Sequence, residues 1–222
     1  MNSIKRTDGV SFTPSKILAI GLNYAEHIEE MRSKRTKEPV IFLKPNSALA
    51  SLNRPVQIPT RYGAVHHEIE LCVLIEKPAF QIDAENAMEI VGGYAVALDL
   101  TLRDIQKKAK ERGHPWAIAK GFKGACPVSE FVLPSQVNDP QNLRLTLTVN
   151  GNVRQNGHTG QMLFRIPELI AYVSQFFPLE AGDLILTGTP SGVGPLTPGD
   201  AIKAEIESVG SVETKCVGWE HV

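Results

Sequence analysis

The stretch from His66 to Ile75 constrains the fold of this chain more than any other, because its residues alternate with a period of two. Ile69, Leu71, Val73 and Ile75 fall on one side of such a strand, and Glu68, Glu70, Cys72 and Leu74 on the other. The second side is apolar at Cys72 and Leu74, so Glu68 and Glu70 stand at a mouth of the core, where unpaired charge is costly. Two residues apart on a strand, their alpha carbons lie roughly 6.5 to 7 Å from one another and both side chains can reach one ion.

A third acid strengthens that pattern. Asp99 directly follows the apolar run Tyr94 to Leu98, with Ala95 and Ala97 on its own side leaving room. Three carboxylates suit a hard cation, Mg²⁺ or Mn²⁺, whereas zinc prefers nitrogen and sulfur. His66 and His67 are adjacent, point to opposite faces of a strand and do not share one metal. On spacing alone a plainer reading stands beside the metal site, with the two glutamates on a solvent-facing edge and Asp99 capping the next helix.

Elsewhere short strands dominate. Lys16 to Ile20 reads as a strand, followed by a helix from Tyr24 to about Ser33 with Asn23 as its N-cap, and Val40 to Leu43 reads as an apolar run closed by Pro45. Leu49 to Arg61 is rich in turn signals, and Asp83 to Glu89 reads as a short capped helix. Thr101 and Asp104 take the spacing of a capping box, opening a helix that runs to about Arg112 and stops at Gly113. Leu143, Leu145, Leu147 and Val149 alternate with polar residues before Asn150-Gly151, a hairpin signal. Ile166 to Phe177 has helical spacing and Pro167 at its first position, and strands return at 184–186, 201–206 and 212–217. These elements predict a compact β-rich α+β fold with one core over residues 1–222.

Other polar residues carry two readings each. His27 and Glu30, three apart on the first helix, make either a water-activating pair or a polar exposed face. Lys120, between Ala119 and Gly121, either approaches an anionic substrate or lies in solvent, and Arg103 and Gln106 either line a site beyond Asp99 or are surface. The turn Leu186 to Gly194 offers backbone amides to a carboxylate or oxyanion. It lacks the Gly-Lys-Ser/Thr of a phosphate loop, and no helix follows Ser191 to make a serine-hydrolase elbow.

Charge excludes several partners. With 23 basic and 24 acidic side chains the formal net charge is -1, so no global field draws the chain to nucleic acid or an anionic membrane. No apolar run approaches the roughly 20 residues of a membrane span, and the segment Met1 to Asp8 opens no secretory signal, which predicts a soluble cytoplasmic protein. Cys72, Cys126 and Cys216 show no metal-type pairing and are expected as buried free thiols.

Five ordered segments, Gly21-Leu-Asn-Tyr-Ala-Glu-His27, Phe42-Leu-Lys-Pro45, His67-Glu-Ile-Glu-Leu71, Ala97-Leu-Asp-Leu-Thr-Leu-Arg-Asp104 and Leu186-Thr-Gly-Thr-Pro190, resemble the fumarylacetoacetate hydrolase (FAH) family. The resemblance runs from about Lys16 to Val217 and is strongest to short acylpyruvate hydrolase and oxaloacetate decarboxylase-like members. It implies a β-rich FAH fold, a homodimer, and Mg²⁺ or Mn²⁺ on Glu68, Glu70 and Asp99. It assigns His27 and Glu30 to a water-activating dyad on a lid helix and Lys120 to the active site, with Arg103, Gln106, Lys44 and Thr189 lining the pocket of a small keto-acid substrate. The leading expectation is hydrolytic cleavage of a carbon-carbon bond in an acylpyruvate. The alternatives are tautomerisation or decarboxylation of oxaloacetate, isomerisation of a 2-hydroxy-dienedioate, and a metal-stabilised dicarboxylate-binding module without turnover.

Overall fold

The structure, a computed structural model, describes residues 3–219, so Met1 and Asn2 of the N-terminal reading lie outside it. In chain order a ribbon of β1 (Ile4–Lys5) and β2 (Ser11–Phe12) precedes β3 (Ile17–Gly21), helix α1 (Ala25–Glu30), β4 (Val40–Lys44), β5 (Leu49–Ser51), β6 (Val56–Ile58), β7 (Val65–His67) and β8 (Ile69–Ile75). Next come β9 (Val91–Leu98), β10 (Thr101–Leu102), α2 (Arg103–Arg112), α3 (Ala117–Lys120), β11 (Cys126–Val128), β12 (Arg144–Val149) and β13 (Asn152–His158). The chain closes with α4 (Ile166–Ser174), β14 (Leu184–Leu186), β15 (Gly194–Leu196), β16 (Ala201–Ile206) and β17 (Gly210–Gly218).

A seven-stranded sheet in the order β4-β3-β14-β8-β9-β11-β5 forms the centre, beside a five-stranded sheet, β13-β12-β16-β17-β6, and a small one, β10-β7-β15. This is the expected β-rich α+β fold. Every residue of β8 is buried, and its alternation divides two cores. Ile69, Leu71, Val73 and Ile75 join the larger cluster with the five-stranded sheet and α4, while Cys72 and Leu74 join a smaller one with Ile17, Ala19, Ala95 and Ala97. The row that Glu68 and Glu70 head, and the side that Asp99 shares with Ala95 and Ala97, therefore meet at one end of the smaller core.

Several local expectations change. The predicted strand from His66 breaks at Glu68, because β7 pairs in the small sheet and β8 in the large one. Helix α1 is shorter than expected. Its N-cap is Tyr24, since the Asn23 amide is spent on the carbonyls of Thr187 (2.8 Å) and Phe164 (3.1 Å) and the amide nitrogen of Phe164 (2.8 Å). Arg32 at φ +48° prevents its continuation.

The capping box at Thr101 does not form. Thr101 pairs with His66 in β10, and Asp104 instead accepts a hydrogen bond from the Ala64 amide. That helix does end at Gly113, in the left-handed region at φ +66°. Residues 83–89 give only a 3₁₀ turn at Ala87–Ile90, and the turn-rich stretch 49–61 contains β5 and β6. Asn150 and Gly151, both left-handed, close the predicted hairpin. Cys72, Cys126 and Cys216 are free and buried. No helix among the described residues is long and apolar enough to cross a membrane.

Candidate metal centre

Glu68, Glu70 and Asp99 are 4%, 1% and 1% exposed, and each offers an oxygen within 4.8 Å of the others. Their convergence follows from the topology. Strand β8 carries Glu70, the break before it carries Glu68, and β9, antiparallel to β8 with Ile69 opposite Leu98, delivers Asp99 to the same end. The Asp99 amide donates to the Glu68 carbonyl at 2.8 Å, fastening the two ligand-bearing segments to each other.

Three cations face the three acids. Lys120 Nζ bridges Glu68 Oε2 at 2.8 Å and Asp99 Oδ2 at 2.6 Å. Arg103 pairs with Glu68 Oε1 and donates from Nη1 to Gln106 Oε1 at 2.6 Å. Lys44 Nζ lies 2.6 Å from Asp99 Oδ1, an ion contact without hydrogen-bond alignment, and donates to the carbonyls of Lys120 (2.6 Å) and Ala125 (2.9 Å). Both lysines are buried, which overturns the solvent reading of Lys120.

The balance is uneven. Burial alone would push Glu68 up, but the charges of Lys120 and Arg103 outweigh it and hold its carboxyl well below the usual range. Among the described residues Glu70 makes no ion pair with a lysine or arginine, and the Lys120 charge offsets its burial only in part. Burial, then Asp99 and Glu68, push it well above the ordinary carboxylate value, despite a 2.7 Å hydrogen bond from the Gly188 amide. Burial disfavours the Lys120 ammonium, yet Asp99 and Glu68 outweigh that and raise it.

A cavity of about 30 Å³, lined by Glu68, Glu70, Asp99, Lys120, Arg103, Gln106, Thr189 and His27, opens over the acids. Its volume is room for about two water molecules. Phe42 and Leu22, from two of the ordered segments, close its apolar side with Trp116 and Met31, which the sequence did not single out. Leu22 sits there at φ +60°, a conformation that costs a non-glycine residue about 1 kcal/mol or more and clusters at functional sites. Lys44 does not line this cavity, contrary to expectation, but sits behind Asp99 in the interior.

His27 is 6% exposed and its Nδ1 lies 3.0 Å from Glu30 Oε2, so the histidine is buried while Glu30 stays at the surface. A carboxylate there assigns the proton to Nδ1 and leaves the Nε2 lone pair free. The other Glu30 oxygen accepts from the Gly192 amide at 3.0 Å, and Glu26 accepts from Ser191 Oγ at 3.0 Å. The glycine-rich turn thus does bind carboxylates, as its amides suggested, but they are the protein's own Glu70 and Glu30.

The donor set fits a hard divalent ion. All three groups are oxygen donors with atoms within 4.8 Å of one another, and the burial and crowding that raise Glu70 are what a cation would relieve.

Residues 16–217 match the family model described as Fumarylacetoacetate (FAA) hydrolase C-terminal. The chain is 50% identical over 194 residues to oxaloacetate tautomerase YcgM of Escherichia coli, covering 87% of this chain and 89% of that protein. It is likewise 50% identical over 205 residues to mitochondrial oxaloacetate tautomerase FAHD1 of Mus musculus, covering 92% and 93%. Among solved structures, fumarylpyruvate hydrolase of Pseudomonas aeruginosa in complex with Mn²⁺ and pyruvate superposes with a TM-score of 0.93 at 34% identity, covering 98% of this chain and 96% of that one.

Proposed function

The chain belongs to the fumarylacetoacetate hydrolase family, and on that premise we propose that it is a divalent-metal-dependent enzyme interconverting the keto and enol forms of a short 2-oxo dicarboxylate of the oxaloacetate kind. The observation that carries this reading is the division of one small cavity. Acids and their cations form one wall, and an imidazole already committed through Nδ1 to Glu30 forms the other. The tautomerase names of two relatives at 50% identity favour it over the hydrolysis expected from the resemblance.

Glu68, Glu70 and Asp99 would hold Mg²⁺ or Mn²⁺, which would supply Lewis-acid polarisation of the 2-oxo group. The remaining work falls to side chains of this chain. Formally the three acids cancel Lys44, Lys120 and Arg103, so a divalent ion leaves a surplus that a dianionic substrate neutralises. Arg103 and Gln106 receive a substrate carboxylate on the cavity wall, and Thr189 bounds it opposite.

His27 Nε2 takes one proton from the methylene carbon. The C–H electron pair becomes the carbon-carbon double bond, and negative charge moves onto the carbonyl oxygen. Lys120, held charged by its acids, stabilises that oxygen, and the proton carried by His27 is returned to it. The cavity is open on one side, and widening it around substrate asks one wall to move. Helix α1, fastened to the turn at Ser191 and Gly192 by exposed hydrogen bonds, is the wall built to do so.

The test follows the decay of enolic oxaloacetate by absorbance. Metal-loaded enzyme should speed it, and His27→Ala should lower the rate about 10²- to 10⁴-fold while Mn²⁺ binding stays unchanged. Decay at the buffer rate in folded, metal-loaded protein would refute the reading. The second reading, hydrolysis of an acylpyruvate, is favoured by the same dyad, since an imidazole backed by Glu30 also activates water, and by the likeness to fumarylpyruvate hydrolase. Release of pyruvate from acylpyruvates faster than oxaloacetate is tautomerised would select it. A homodimer remains part of the reading, supported by the exposure of Leu43 and Ile118, and light scattering tests it.

A further inference from the structure

Gln155 is fully buried although its neighbours Arg154 and Asn156 on β13 are exposed. A buried carboxamide is costly unless its hydrogen bonds are made, and here all four are. Oε1 accepts from the Ile69 amide and from His67 Nδ1, each at 3.0 Å, and Nε2 donates to Thr189 Oγ1 at 2.8 Å and to the Pro190 carbonyl at 2.9 Å. The orientation is not ambiguous. Ile69 N–H can only donate and the Pro190 carbonyl can only accept, so oxygen and nitrogen cannot be exchanged. The same logic places the His67 proton on Nδ1.

Thr189 completes a ring. Its Oγ1, which accepts from Gln155, donates to the Ile69 carbonyl at 2.8 Å. Both peptide groups of Ile69 are thereby held from one side, the N–H by Gln155 and the C=O by Thr189. Ile69 is the residue between Glu68 and Glu70. It begins β8 immediately after the chain has left the small sheet, where no ladder partner of β7 continues.

We propose that Gln155 is the positioning residue of this metal centre: through the Ile69 amide and Thr189 it fixes the two peptide planes that aim Glu68 and Glu70 at one ion. A methionine of similar volume would fill the same space. What only the carboxamide supplies is a set of bonds whose partners are all in the ligand-bearing segment or the glycine-rich turn. The inference rests on the reading of Glu68, Glu70 and Asp99 as metal ligands, and the ring makes it independent of the reaction catalysed.

The experiment titrates Mn²⁺ into metal-stripped protein and reads free ion by electron paramagnetic resonance, with calorimetric melting of the same metal-free samples. Gln155→Met should weaken Mn²⁺ about tenfold, within the range for outer-sphere partners. Thr189→Val, which breaks the ring at its other side and keeps the Gln155 bonds to Ile69, His67 and Pro190, should weaken it too. The double variant should lose less than the two single losses multiplied together, because either break opens the same ring. Should Gln155→Met fail to fold, Thr189→Val alone decides. Unchanged Mn²⁺ affinity in a folded variant with a lowered melting temperature would show a merely structural glutamine and overturn the proposal. Glu70→Ala separates the premise: if it binds Mn²⁺ like the wild type, the metal-centre reading falls and the proposal with it. If it loses Mn²⁺ while Gln155→Met and Thr189→Val keep it, the proposal alone falls.

Discussion

Lys120→Met removes the cation that bridges Glu68 and Asp99 while keeping an unbranched side chain one atom shorter. All three groups are nine-tenths buried or more, so solvent cannot take over the lost charge. Breaking a buried ion pair from one side costs about 3–5 kcal/mol, because the partner is left uncompensated. At roughly 2.1 cal/mol/K per residue the 222-residue chain has an unfolding entropy near 0.5 kcal/mol/K, so melting should fall by about 6–10 °C. That figure applies to protein kept in a chelator. The deficit arises from acids that have lost the cation they shared, although Glu68 keeps Arg103 and Asp99 keeps Lys44, so a divalent ion on the same acids restores what the ammonium supplied. Scanning calorimetry in EDTA and in excess Mg²⁺ separates the two states. The upshift on adding Mg²⁺ should be several degrees larger in the variant than in the wild type. An equal upshift would refute the reasoning, since Lys120 and the ion would not then be serving the same carboxylates.

Two further predictions concern the acid without a lysine and the turn over α1. Metal-free folded protein holds the Glu70 proton more tightly than the unfolded chain, so this group's contribution is full below the ordinary carboxylate pKa and is lost as pH rises toward the raised folded value. Ion binding should displace that proton. Titration calorimetry in two buffers of different ionisation heat should therefore show release approaching one proton per ion, with affinity rising with pH, whereas heats independent of buffer would contradict it. Gly192→Ala places a Cβ 2.0 Å from the Arg154 carbonyl oxygen at φ +95°, so the turn must shift. Urea denaturation should show a loss of roughly 1–3 kcal/mol, and activity should fall with it as Glu30 loses its amide. Unchanged stability would mean that the turn relaxes freely.

The candidate metal centre was legible because its signals are local. Two acids a strand period apart and a third closing an apolar run are visible without knowing what packs on them, and the sheet pairing supplied only their convergence. Helix α1 shows the opposite case. His27 and Glu30 read as a polar face next to Glu26 and Glu29, and nothing local reveals that the helix lies against the 187–192 turn. Lys120 was ambiguous for the same reason, since its burial depends on acids 21 and 52 residues away. Lys44 was placed in the family pocket, yet three carbonyls from distant segments draw its ammonium inward behind Asp99. The break at Glu68 left no trace in the alternation, because a change of sheet keeps the period while exchanging the partners. Gln155 went unseen as one polar residue among several in a half-exposed strand.

The hydrogen bond from the Asp99 amide to the Glu68 carbonyl, with that from the Gly188 amide to Glu70, has a consequence for how the protein acquires its ion. The first holds the backbone that carries two of the acids and the second holds the Glu70 carboxylate itself, both by bonds that contain no metal. Emptying and refilling the proposed site would then require no refolding. Acids assembled in advance select weakly among hard divalent ions of similar size, so an ion held there as proposed would record what its surroundings had in abundance.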